Sequence, residues 1–169
     1  MKRNLTRKNH IIWRRLVTGV VVLAIAVCLT GIGLLVKAQF PYFQARHEAT
    51  QMAEKYAHVD KVSHFYWYNR NQTYFTIAGQ NDKGQNVYVI IPKNGASVNV
   101  YSQRAGISAQ QAAQVARNND TVRKVQATTL GMHAGKPAWE VAYLNKQNEQ
   151  CYVLLSFKTG KVIQQNKGI

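Results

Sequence analysis

The sequence predicts an α+β protein: a single N-terminal transmembrane helix followed by two tandem modules, each a helix packed on an antiparallel sheet. Three observations carry that prediction. Residues 16–36, LVTGVVVLAIAVCLTGIGLLV, run for 21 positions without a charge. Beyond them the apolar spacing changes from a helical period to a period of two, and it does so twice. The second occurrence falls on the first at an offset of 64 residues. The implied organisation is a basic arm at 1–15, the span at 16–36, a first module at 37–101 and a second at 102–169.

A helix of 21 residues is roughly 31 Å long at 1.5 Å of rise per residue, which matches the hydrocarbon core of a bilayer. Lys2, Arg3, Arg7, Lys8, Arg14 and Arg15 precede it with no acid among them, so the positive-inside rule keeps this arm in the cytoplasm and places the modules outside the cell. Trp13 on one side and Phe40, Tyr42 and Phe43 on the other suit the two headgroup layers. The rival is a cleaved signal peptide with its site near Val36-Lys37-Ala38. The apolar run, however, exceeds the roughly 7 to 15 residues of such a segment. A lipoprotein signal needs a small residue directly before the cysteine, and Cys28 follows Ala26-Val27.

Six of the 22 Lys and Arg precede the span, and the other 16 face all seven Asp and Glu, a net charge of +9 for the exterior. Such a surface is either attracted to anionic wall polymers and lipid headgroups or merely kept soluble. Nucleic acid is a poor partner, because the basic residues are scattered without a nucleic-acid motif and lie on the wrong side of the membrane. Cys28 falls in the bilayer and Cys151 outside it, so no disulfide between them is expected.

Taken in order, Pro41 suits the first turn of a helix whose face is Ala45, Ala49, Met52, Ala53 and Tyr56. Period two then takes over: Val62, His64, Tyr66 and Tyr68 alternate with Ser63, Phe65 and Trp67, up to a turn at Asn69-Arg70-Asn71-Gln72. Strands are expected at 73–79 and 86–91, with Asn81-Asp82-Lys83-Gly84 between them and a short extended return or linker at 97–101. The second module opens on Ser108-Ala109-Gln110-Gln111, a capping box, with Ile107 placed to staple onto Ala112. Its helix is expected to end at Asn119-Asp120, and strands follow at 122–130, 137–144, 150–157 and 161–165.

At the offset of 64, Phe75 falls on Trp139, Ile77 on Val141, Tyr88 on Tyr152 and Val89 on Val153, and the helix at 44–55 falls on 108–119. Order, length and face polarity agree, which reads as a tandem repeat.

Enzyme chemistry finds little support. His47-Glu48-Ala49-Thr50-Gln51 begins like a zinc-protease helix, but Gln51 stands where the second ligand is required. His58 and Asp60 are only two potential ligands, and a polar cap at a helix-to-strand junction explains them better. The seven acids form no obvious pair, Ser156 lacks a nucleophile elbow, and Cys151 has no sequence signature that places a histidine beside it. No catalytic residue, metal or cofactor is assigned. The densest feature is Phe65-Tyr66-Trp67-Tyr68, of which alternation lets only half face a core. It is either a sheet face covered by the helix or the neighbouring module, or a face left for a partner or a glycan.

The second module resembles a PepSY domain through Ile107-Ser108, Ala112 and Ala116, Trp139-Glu140-Val141, Tyr152-Val153 and the closing turn Thr159-Gly160-Lys161-Val162. Ala57-His58-Val59-Asp60-Lys61-Val62 after an Ala-rich helix, with the basic arm and single span, resembles the TseB (YpmB-type) cell-wall elongation regulators of low-GC Gram-positive bacteria. This resemblance covers nearly the whole chain. It implies two cystatin-like, PepSY-type modules and a non-catalytic regulator that binds a penicillin-binding protein of the elongation machinery. PepSY domains also accompany proteases as inhibitory or chaperoning segments, which supplies an alternative. A tether raises the effective concentration toward a membrane-anchored partner. Recognition is expected at a module face or sheet edge, with Phe65, Tyr66, Trp67 and Tyr68 and the nearby Lys61 and Arg70 as the partner-binding residues.

Overall fold

The structure is a computed structural model that describes residues 3–119 and 121–166; the side chains of 3–12, 14–16, 32–36 and 38 lie outside the described set. The chain forms two compact units that meet between Gln44 and Ala45.

Helix α1 runs without interruption over Arg3–Ala57. The shorter helix expected to begin at Pro41 is therefore corrected: Pro41 lies inside α1, where its ring removes one backbone donor. Of the expected span, Leu16 and residues 32–36 have side chains outside the described set. Among the described residues no helix is long and apolar enough to cross a membrane. The basic arm lies almost wholly outside the description of side chains. Within the first unit Val20, Leu23, Val27 and Leu29 are all exposed on the helix surface.

In the second unit α1 ends at His58, whose left-handed backbone (φ 51°) stops the helix. The His58 N–H donates to the Glu54 carbonyl at 3.0 Å and the His58 carbonyl accepts from Asp82 N at 2.9 Å. Strands β1 (Val59–Asn69), β2 (Thr73–Asn81), β3 (Asn86–Pro92) and β4 (Asn99–Ser102) then form one antiparallel sheet in chain order. A 3-10 turn at Gln103–Ala105 leads to helix α2 (Ala109–Arg117). A second antiparallel sheet follows, again in chain order: β5 (Val122–His133), β6 (Lys136–Asn145), β7 (Gln150–Ser156) and β8 (Val162–Asn166). The return expected at 97–101 is thus a paired strand, β4.

The capping box forms: Ser108 Oγ accepts from Gln111 N at 3.2 Å, and Gln111 Oε1 accepts from Ser108 N at 2.8 Å. Ile107 packs in the same cluster as Ala112. Asp120 lies outside the described residues; Asn118 caps α2.

The repeat is visible in strand register. Phe75 pairs with Ile91 and Ile77 with Val89, as Trp139 pairs with Leu155 and Val141 with Val153. The first strand of each sheet carries two irregularities at corresponding places, Val59/Lys61 and Val62/His64 in β1, Val122/Lys124 and Val125/Ala127 in β5. These correspond at an offset of 63, and so do the buried Ala49 and Ala53 of α1 with Ala112 and Ala116 of α2. The helix alignment at 64 is therefore corrected by one residue. The extra residue sits at the tip of the β5–β6 hairpin, and beyond it the offset is 64.

The turns repeat too. Asn81 Oδ1 accepts from Lys83 N at 3.1 Å and Gln85 N at 2.8 Å, and Asn145 Oδ1 accepts from Gln147 N and Glu149 N at 2.9 Å each. An asparagine side chain organises the same hairpin in both modules.

Both faces of the first sheet are covered, which explains why Phe75, Thr76, Ile77, Ala78 and Gly79 are buried in succession. On one face Ala45, Ala49 and Ala53 of α1 meet Phe75, Ile77, Val87, Val89 and Ile91. Alanines at i, i+4 and i+8 let the helix backbone lie close to the sheet. On the other face lies the second module.

Candidate functional site

The aromatic run of β1 is divided by the pleat. Phe65 and Trp67 stand opposite Ile77 and Phe75 and pack with the helix-side core, Trp67 meeting the Phe75 ring edge-on at 5.1 Å. Both are half-buried. Tyr66 and Tyr68 point to the other face and join the two modules. The Tyr66 ring meets Trp139 at 5.5 Å, and Tyr88 of β3 meets Trp139 at 5.6 Å and Phe157 at 5.8 Å, each nearly perpendicular. Such edge-to-face pairs contribute about 0.5–1.5 kcal/mol each beyond burial. Trp139 has no solvent exposure, and its indole N–H donates to the Ile107 carbonyl at 2.8 Å, which ties the entrance of α2 to the same junction.

Tyr68 is 1% exposed and sits directly on β5. A Cβ at Gly131 would lie 2.3 Å from its ring, so only glycine allows the strand to approach. Beside it the Thr76 hydroxyl, fully buried, donates to the Leu130 carbonyl at 2.7 Å across the modules. Arg70 pairs with Glu140 of β6, Nε to Oε2 at 3.5 Å, with side chains 17% and 13% exposed.

Of the six residues expected at a partner surface, the structure thus brings Tyr66, Tyr68 and Arg70 into the junction between modules and leaves Lys61 exposed on β1. Sequence reasoning missed Glu140, Trp139 and Gly131 as their counterparts. One signal was available: Glu140 is an acid inside the otherwise apolar run Ala138-Trp139-Glu140-Val141-Ala142.

Burial shapes the protonation of this junction. It raises the Glu140 carboxyl above its usual value, with the Arg70 charge opposing. Burial, then Glu140, raises Tyr68, while Arg70 lowers it. Tyr66 is raised by burial, and Tyr88 is pushed up to about 12 by burial and by Tyr66. The phenols are neutral packing groups under ordinary conditions.

At one end of the junction a cleft of about 460 Å³ opens between the β1–β2 turn, with Arg70, and the β5–β6 turn, with His133, Ala134 and Gly135. Among the described residues no group of three His, Cys, Asp or Glu is placed to hold a metal ion.

This geometry defines a class, tandem helix-on-sheet modules fused through the first strand of the second sheet, and sequence profiles agree with it. Residues 48–92 match the "Cell wall elongation regulator TseB-like domain", and residues 106–166 match the "Peptidase propeptide and YPEB domain" (PepSY). The chain thus carries a TseB-like domain followed by a PepSY domain. It is 27% identical over 163 residues to the probable cell wall elongation regulator TseB of Bacillus subtilis (strain 168), covering 94% of this chain and 97% of that protein. The solved YpmB protein from Bacillus subtilis superposes with a TM-score of 0.63 at 25% identity, covering 70% of this chain and 94% of that one.

Proposed function

We propose that this chain is a membrane-anchored, non-catalytic regulator of cell-wall elongation that acts outside the cell by binding a penicillin-binding protein. The observation that carries the reading is the end-to-end similarity to a probable cell wall elongation regulator, over 94% of this chain and 97% of that protein. Supporting it, the residues that would most readily suggest chemistry are engaged in joining modules. Glu140 is held by Arg70, Tyr68 is buried in the junction and Tyr66 is half-buried against it.

In this reading residues 16–36 span the membrane with the basic arm inside. The 21-residue uncharged run and the exposed apolar side chains of Val20, Leu23, Val27 and Leu29 on a continuous helix support it. Confinement to the membrane surface lets a modest affinity for another anchored protein suffice. The surface offered to that partner is the β1 side of the first module, with Lys61 and the accessible parts of Phe65 and Trp67.

The test is an in vivo crosslink and pull-down of the full-length protein beside a chain ending at Pro41, with mass spectrometry of what is recovered. Recovery of a penicillin-binding protein by the full chain alone supports the reading; its absence from both removes it. The match of residues 106–166 to a peptidase-propeptide domain favours a second reading, restraint or chaperoning of a cell-surface protease. That reading requires a protease in the same pull-down and its inhibition by the purified full-length chain. A third, retention on teichoic acid through the +9 exterior, requires binding that disappears with salt.

A further inference from the structure

We propose that the free edge of β8, with the hollow between it and α2, is a docking site for an extended acidic segment of another protein, taken up as an added strand. The site uses the second module's last strand rather than β1, and it stands whether or not the partner is a penicillin-binding protein.

The repeat supplies an internal comparison. At the offsets that relate the modules, Met52 of α1 corresponds to Val115 of α2 and Val98 to Val162. In the first module Met52 and Val98 are both drawn against the core beneath α1. In the second, α2 ends at Arg117, the counterpart of Glu54, whereas α1 continues to Ala57. The shorter helix and the shorter Val115 side chain leave a hollow of about 50 Å³ lined by Val115, Asn119, Tyr143, Val153 and Val162. Val162 stands opposite Leu155, on the sheet face that carries the α2 core, and is 57% exposed. An apolar position that its own helix covers in one copy and leaves open in the other is the kind of surface a partner covers.

Beside the hollow runs an unpaired edge. β8 is the last strand of its sheet and is paired only with β7, so its other side presents main-chain N–H and C=O groups. The register is regular over Gln164–Asn166, and a bulge before it leaves Ile163, 46% exposed, without a partner on β7. Strand addition at such an edge takes affinity from main-chain hydrogen bonds and selectivity from pockets for alternate side chains. The hollow has room for one small apolar side chain, and the polar groups at its margin are satisfied, since Gln165 Nε2 donates to Tyr143 Oη at 2.8 Å.

Charge selects the occupant. From Gln150 to Asn166 the chain has no Asp or Glu but holds Lys158 and Lys161, both exposed, and α2 adds Arg117 and no acid. A segment with Asp or Glu at its ends is attracted to this surface. A second copy pairing β8 on β8 would instead bring like charges together. An anionic wall polymer would meet the charge but offers no backbone amides to the edge and no apolar side chain to the hollow.

The test uses the full-length protein in detergent micelles and the dye-labelled peptide Asp-Thr-Val-Thr-Val-Asp-amide, followed by fluorescence anisotropy and by hydrogen exchange of the β8 amides. Saturable binding with a Kd of about 1 mM or tighter is expected, with protection gained within Val162–Asn166. Asn in place of both Asp should weaken binding roughly tenfold at low salt. N-methylation at alternate residues removes main-chain donors, so one alternation should lose roughly tenfold or more while the other keeps its affinity. Val115→Met fills the hollow as Met52 fills its counterpart and should weaken binding several-fold. Lys161→Glu, at an exposed position, should weaken it about tenfold and does not depend on how the core tolerates the first variant. No binding, affinity unchanged in both variants, or equal affinity for both alternations overturns the proposal. So does displacement by polyphosphate with no effect of N-methylation, which would mark a polyanion surface, or β8 protection that grows with protein concentration alone, which would mark a contact between copies.

Discussion

Gly131 is the residue at which the union of the modules is most sensitive. The Tyr68 ring fills the place where a Cβ would stand, and Tyr68 is itself enclosed, so neither side can yield cheaply. Gly131→Ala is expected to cost about 2 kcal/mol by overpacking, read as a lowered thermal midpoint of the full chain. The paired asparagines differ in burial, Asn145 being 8% exposed and Asn81 more so. Asn145→Ala strands two turn N–H groups in a half-buried site and should cost about 2 kcal/mol, whereas Asn81→Ala should cost about 1 kcal/mol. Equal losses would show that burial does not set the difference. For Glu140 the folded carboxyl is raised above its usual 4.5 by burial. The folded state therefore holds its proton more tightly than the unfolded chain, and this contribution to stability is full below pH 4.5 and lost as pH rises through the folded value. Denaturant unfolding of the wild type against Glu140→Gln should show the wild type losing ground over that window; a difference independent of pH would contradict the assignment. At this scale the sequence was least informative. That β1 carried a buried aromatic face was readable from alternation. Pairing Arg70 with Glu140 was not, because the two are separated by 70 positions and meet only when the modules dock.

Among the elements, helix ends and hairpins were legible because their signals are local. Ser108 with Gln111 announced α2, and Ser108→Ala should lower stability by about 1 kcal/mol in thermal unfolding. His58 was readable as a junction residue, though its left-handed backbone was not. Exposed, with φ of 51°, it carries a steric cost that glycine lacks, so His58→Gly is expected to raise stability by about 0.5–1 kcal/mol. A loss instead would mean that the imidazole itself supports the helix end. The start of α1 was misjudged for a physical reason: Pro41 is tolerated both in a first turn and, at the loss of one hydrogen bond, inside a helix. The strand β4 was legible only as a short extended return or linker, being four residues long with Asn99 and Ser102 at its ends.

For the whole molecule, the repeat was legible and its consequence was not. Helix, sheet order and turns recur at offsets of 63 and 64, but a repeat in sequence does not say how its copies pack. The answer lies in a face that one module cannot satisfy alone: Tyr66, Tyr68, Tyr88 and Ile90 of the first sheet are covered by Leu130, Ala138, Trp139 and Phe157 of the second module. A single body built this way offers a partner fixed geometry, which suits regulation by binding. The most direct measurement is association of the full-length chain with the full-length elongation transpeptidase of the same cell, co-reconstituted in bilayers and followed by energy transfer between labels. The account predicts a saturable complex that disappears when the chain ends at Pro41; no complex, or one that persists without the modules, would contradict it.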